Sequence, residues 1–195
     1  AQDAQLYFLN TARKIFLAAM IAFYGVGVDF VDICKTVFFN SLEDLAKLIR
    51  VTKNELAIGY IMPIVDENEK NTSGAKSALN DKVKLFADNE NLQKLLRRPL
   101  TDFATGETEH CFVPELIEDA QVFLKVPDKK QEYYAALMHI VTGQILEYIS
   151  GREYNSRTDR RILIALDEFA SLGHFEILSP FRKFRKNGAN ICVLT

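Results

Sequence analysis

Asp167 and Glu168 stand side by side at the end of the run Arg161-Ile-Leu-Ile-Ala-Leu166. The run is nearly all apolar and reads as a strand buried by its neighbours, so the two carboxylates fall where the chain surfaces. Carboxylate oxygens suit a hard cation. An aspartate here can hold Mg²⁺, commonly through the ion's water shell, while the neighbouring glutamate polarises an attacking water. Adjacent residues of an extended chain point to opposite sides, so Asp167 is assigned to the metal and Glu168 to the water. Four or more apolar residues followed by Asp-Glu form the Walker B arrangement. An ordinary strand end has the same outline.

Other reactive residue types are less telling. Three cysteines, Cys34, Cys111 and Cys192, are far apart and odd in number, which argues against a disulfide framework and for a reducing compartment. None has CxxC spacing, and His110 beside Cys111 lacks the separation of zinc ligands, so all three read as inert. His174 reads as a turn residue and His139 as a helix residue, packed or half exposed. The net charge of −2 does not announce a polyanion partner. Cations do gather locally at Arg152, Arg157, Arg160, Arg161, Arg182, Lys183, Arg185 and Lys186, which leaves room for a basic face. Arg182, Lys183, Arg185 and Lys186 have two readings. One is contact with a nucleic-acid backbone; the other is a solvated helix face with cations near its C-terminus.

These residues need elements to position them. The first part of the chain reads as helical. Leu6, Leu9, Ile15, Phe16, Ala19, Met20 and Phe23 recur at helical spacing, and the apolar run Ile15 to Val28 is short for a membrane span and reads as a core helix. Ser41-Leu-Glu-Asp44 opens a helix lined by Leu42, Leu45, Leu48 and Ile49, and Thr52-Lys-Asn-Glu55 opens another that should stop before Pro63. Residues 66–74 are polar and loop-like, followed by helices over 75–87 and 91–97. Beyond residue 120 the pattern changes to strand (121–126), helix (131–150), strand (161–166), helix (175–188, stopped by Gly188) and strand (190–195). That alternation predicts a parallel sheet covered on both faces. Asp128, Asp167, Glu168 and Thr195 would lie along one edge.

The segment LDEFASLGHFEIL…FRKFRKNGANICVLT closely resembles the Walker B segment of the type IV secretion coupling proteins, the TraG/TraD family of conjugation motors. AQVFLKVPDKKQEYYAALMHIVTGQIL resembles that family's preceding strand, its Pro-Asp-Lys turn and its long helix. YFLNTARKIFLAAMIAFY resembles the start of the family's all-α domain. The stretch from about Asp29 to Cys111 matches in helical character and length.

The resemblance implies an α/β fold: a piece of a RecA-like P-loop NTPase domain with a parallel sheet, and an all-α domain inserted in it. Residues 1–115 would be the all-α recognition domain and 116–195 a partial nucleotide-binding domain carrying Walker B. It also implies ATP and Mg²⁺ as cofactors of the full-length protein, with Glu168 catalytic and Asp167 on the metal. The full-length protein would be a homo-hexamer at the cytoplasmic face of the bacterial inner membrane. Its partners would be relaxase–DNA complexes or effector proteins, adaptors on the all-α domain and other secretion components. Alternatives are a DNA translocase of the FtsK/HerA kind and a non-enzymatic helical adaptor-binding module.

No GxxxxGK[ST] loop occurs in the sequence. Ser73-Gly-Ala-Lys-Ser-Ala78 has Ala75 between glycine and lysine and no strand before it, so it reads as a helix N-terminus. The expectation is a fragment of a longer protein that neither binds ATP tightly nor hydrolyses it by itself.

Overall fold

A computed structural model of the chain describes residues 2–97, 99–100, 102, 104–107, 112–167 and 184–193. It divides into two compact units, Ala1–Cys111 and Phe112–Thr195.

The first unit is helical: α1 (Gln2–Tyr24), α2 (Phe30–Phe39), α3 (Leu42–Val51), α4 (Glu55–Val65), α5 (Glu69–Asp88) and α6 (Glu90–Leu96). Local chemistry sets where they begin. Asp29 accepts from the Asp32 N–H, Ser41 from Asp44, Asn54 from Ala57, Asn68 from Lys70 and Asn89 from Leu92. Each side-chain oxygen satisfies an N–H that the first turn cannot pair, worth about 1 kcal/mol.

Helix α1 lies against α4 and α5, and α5 against α2. The buried stripe of α1 is Ala12, Ile15, Ala18, Ala19, Ala22 and Phe23, smaller than the expected one, and Leu6 faces outward at 59% exposure. Alanines let neighbouring backbones approach closely. Ile33, Val37, Leu45, Ile49 and Ile61 complete the core, each fully buried and contributing roughly 1.5–3 kcal/mol. Edge-on rings knit α1, α2 and α5, with Phe30 between Phe16 (6.5 Å) and Phe86 (5.1 Å).

Two expectations are corrected here. Helix α4 runs through Pro63. The missing N–H falls in the last turn, and the Asp66 N–H closes the end on Met62 O, so little is lost. The polar stretch 66–74 is helical from Glu69 onward, because the Asn68 cap starts α5 and its polar turns face solvent. Ser73–Ala78 therefore lies inside a helix, not at its start.

The second unit contains 3₁₀ turns at Pro114–Glu118, Asp128–Lys130 and Phe184–Asn187, helix α7 (Gln131–Gly151), and strands β1 (Ile162–Leu166) and β2 (Ala189–Val193). The strands pair in parallel, Ile162 with Ala189 through Leu166 with Val193. Ile149, Phe184 and Ala189 are buried, with Ile145, Leu146, Ile162, Ile164 and Ile191 packed around them. One face of the strand pair thus rests on α7, while Leu163 on the other face is 68% exposed.

The expected strand over 121–126 does not form, and Phe123 there is 72% exposed. A β-rich composition supplies no ladder partner, and β1 pairs with β2 instead. The described strands are two rather than three, and the RecA-like sheet is not reproduced among the described residues. Most of the expected helix 175–188 lies outside them; its last four residues before Gly188 form a 3₁₀ turn.

Gly188 ends that turn at φ +74°, and a Cβ built on it would come within 2.3 Å of the Tyr154 ring. Gly188→Ala is therefore expected to destabilise the second unit by roughly 1–3 kcal/mol. Gly59→Ala, inside α4 with nothing within 4 Å, should be neutral or stabilising. Urea unfolding of both variants checks the contrast; equal midpoints would contradict it.

Candidate functional site

Asp167 follows the last paired residues, Leu166 and Val193, and is exposed at the C-terminal end of β1. Both strands end at this edge. Parallel sheets present their C-terminal ends to ligands because side chains and loops there converge without obstructing the ladder. Glu168, Arg182, Lys183 and Thr195 lie outside the described residues. The Asp128 backbone opens the 3₁₀ turn ahead of α7 and follows no strand.

Arg185 and Lys186 are exposed in the turn that precedes β2. They sit at the N-terminal edge of the strand pair, opposite Asp167. The structure does not bring this cation pair to the edge that carries the acid.

The N-terminal edge is organised by a residue that the sequence reading placed among the local cations. Arg152, just past the end of α7, has a side chain only 6% exposed. Its Nε donates to Glu118 Oε1 at 2.6 Å and its Nη2 to Oε2 at 2.7 Å. Nη1 donates to Asn187 O at 3.0 Å and Nη2 also to Arg160 O at 2.8 Å. Tyr148 OH adds a bond to Glu118 Oε1 at 3.1 Å. The Tyr154 ring lies 5.2 Å from the guanidinium. Asn187 Nδ2 donates back to Arg152 O at 2.8 Å and to Ser150 O at 3.1 Å.

The register gives these contacts their meaning. Ile162 pairs with Ala189, and Arg160 and Asn187 each stand two residues before those positions. One guanidinium therefore holds equivalent points of both strands. Arg152 is a structural cation, not part of a basic surface. Sequence offered one faint signal, an arginine directly after a glycine that closes a helix. Its acidic partner lies 34 residues upstream.

Beside this clamp opens a cavity of about 780 Å³ with Glu118, Asp119, Glu147, Glu153 and Asp159 in its wall. The neighbourhood of Arg152 is thus acidic rather than basic. No group of three or more His, Cys, Asp or Glu among the described residues is arranged to hold a metal. Cys34 is fully buried, and burial, reinforced by nearby Asp29, pushes its thiol up to about 12. It is a core residue without nucleophilic character.

Residues 5–24 of α1 are long and apolar enough to cross a membrane by length and composition. Ile15, Ala18 and Ala19 on that stretch are packed in the helical core.

A model of the family described as type IV secretory system conjugative DNA transfer matches residues 35–191, from within α2 to within β2, Asp167 included. Comparison with curated proteins and with solved structures gives no match.

The clamp makes the stability of the second unit depend on acidity. Hydrogen bonds from Arg152 hold the Glu118 carboxyl below the ordinary glutamate range. Asp159 is lowered in the same sense, chiefly by the Asn155 N–H. Both groups bind protons more readily in the unfolded chain, so their stabilisation is complete above the ordinary carboxylate range of about 4 and is lost as pH falls through the lower folded values. Glu118→Gln should flatten that acid slope, and Arg152→Met should cost about 3 kcal/mol at neutral pH. Denaturation midpoints between pH 3 and pH 7 read both, and an unchanged slope in Glu118→Gln would contradict the account.

Proposed function

Because the chain belongs to the family of type IV secretory system conjugative DNA transfer proteins, we propose that it is part of a coupling protein that recruits secretion substrates and powers their transfer by ATP hydrolysis. The observation that carries this reading is the place of Asp167, exposed where β1 of a parallel pair ends. A carboxylate there fits a magnesium ion held through its water shell. Glu168, next in sequence, is assigned to orient and polarise the attacking water. Magnesium-bound ATP, when present, supplies the phosphoanhydride whose cleavage drives the work. The segment Ser73–Ala78 lies inside α5 and offers no strand-to-helix turn to hold phosphates, so the phosphate loop is assigned to another part of the full-length protein. That assignment keeps the expectation that the 195 residues alone do not turn over ATP.

Residues 1–111 form a unit with its own apolar core, and the candidate nucleotide residues lie outside it. We assign this unit to recruitment of cargo, a relaxase–DNA complex or an effector protein, directly or through an adaptor. Arg185 and Lys186, with Arg182 and Lys183, are assigned to phosphate backbones of the transferred strand. Assembly as a hexamer at the inner membrane belongs to the same proposal.

The test uses the protein as its own gene produces it. Glu168→Gln is expected to lower ATP turnover by at least about 10²-fold while nucleotide binding persists. Asp167→Asn is expected to weaken magnesium-dependent binding. Both should abolish substrate transfer, and undiminished turnover in Glu168→Gln would overturn the assignment.

A further inference from the structure

Helix α5 has two faces with different work. Ala75, Leu79, Val83 and Phe86 are buried against the other helices. The polar face carries Ser73, Lys76, Ser77, Asn80, Asp81 and Lys84, at three- and four-residue spacings. It forms one wall of an open cavity of about 560 Å³. The facing wall is the junction of α2 and α3, with Phe38, Leu42 and the Ser41 cap.

Lys76 lines this cavity. It is half-buried, and burial lowers its pKa. Its Nζ donates to Val37 O at 2.7 Å, near the end of α2, and to Asn80 Oδ1 at 2.6 Å. Both acceptors are neutral. An ammonium has three donors, so the third remains for a ligand. A half-buried ammonium whose partners are a carbonyl and an amide receives no counter-charge from them, and an incoming negative charge supplies one. The hydroxyls of Ser73 and Ser77 lie on the same wall, and Lys84 adds a second cation at the rim.

We propose that this cavity binds a carboxylate of an acidic peptide segment on a partner protein. The balance of charge around it selects that class. Asp81 lies in the wall, and Asp44, which accepts from Ser41 at 2.8 Å, is already paired with Lys47 at 2.7 Å. The remaining ammonium donor of Lys76 and the two hydroxyls match the oxygens of one carboxylate, while Asp81 keeps the wall from being the uniformly basic surface that a nucleic-acid backbone needs. This deepens the recruitment role proposed for the helical unit and rests on it for its biological meaning.

The test is NMR titration of the ¹⁵N-labelled 195-residue chain. The probes are a short glutamate-rich peptide with a free C-terminus, its uncharged glutamine-amide counterpart, inorganic phosphate and an oligothymidylate. The charged peptide is expected to give saturable shifts at the amides of Ser41–Asp44 and Ser73–Lys84, with none from its neutral counterpart. Lys76→Met should weaken binding about tenfold or more. Lys84→Gln and Ser77→Ala, both exposed and outside the hydrogen bond from Lys76 to Val37, should each weaken it roughly threefold. If Lys76→Met fails to fold, those two variants decide. Absence of saturable shifts, unchanged affinity in both rim variants, or tighter binding of phosphate or oligothymidylate would overturn the proposal. A separate pull-down of cargo by the whole chain distinguishes the two levels. Cargo captured without peptide binding sinks the cavity assignment alone, and peptide binding without cargo capture sinks the recruitment role.

Discussion

The strand pair of the second unit is held in register by one guanidinium. Among the described residues the sheet is two strands of five residues, and such a pair holds itself together poorly in water. A parallel pair also lacks a tight turn to fix its register, because the chain must leave, cross over and return. Arg152 supplies the missing constraint. It bonds Arg160 O and Asn187 O, which stand at equivalent distances before β1 and β2, so a slip by one strand would break a bond to a buried charge. Glu118 neutralises that charge through two oxygens, and Tyr154 covers it. Gly188 must be glycine-like for the same reason, since the turn beside the clamp leaves no room for a Cβ.

Pinning the N-terminal edge has a consequence at the other edge. Strands held level at their start end level: Leu166 stands beside Val193, and Asp167 emerges directly after that last pair. A one-residue slip reverses the face each side chain occupies, so the clamp also decides which way the acid points. The two edges divide the charges: the buried arginine orders the frame, and the acid meets solvent. Desolvating an ion pair is costly, and apolar replacements are often as stable. The return here is geometric, one register instead of several.

What was legible in the sequence follows from how far each signal reaches. Ser41 capping α3, the helices of the first unit other than α2, β1 and β2, and the turn at Gly188 were legible because caps, periodicity and glycine act over a few residues. Asp167 at a strand end was legible for the same reason. Residues 121–126 look like a strand and are not one, because pairing requires a free edge that composition cannot announce. Residues 69–74 look like a loop and are helical, because a cap and a buried face further along outweigh polar composition. Arg152 was grouped with surface cations because its partners lie 34 and 35 residues away. Long-range polar contacts leave no spacing to read.

Arg152 and Lys76 show why buried cations must be judged by their acceptors. Arg152 has a carboxylate partner and two backbone carbonyls, and its donors converge on groups that the fold fixes in place. Its pKa is raised, chiefly by the hydrogen bonds to Glu118, so the folded chain already provides the negative charge it needs. Lys76 is lowered instead, with burial as the cause, and its bonds go to neutral oxygens. The first cation is satisfied within the chain and rigid, in keeping with a planar fork. The second is half-buried with neutral partners, and it faces an open cavity. Both caps and clamps tolerate a buried charge; what separates a structural cation from one with capacity to bind is whether its counter-charge is already in the fold.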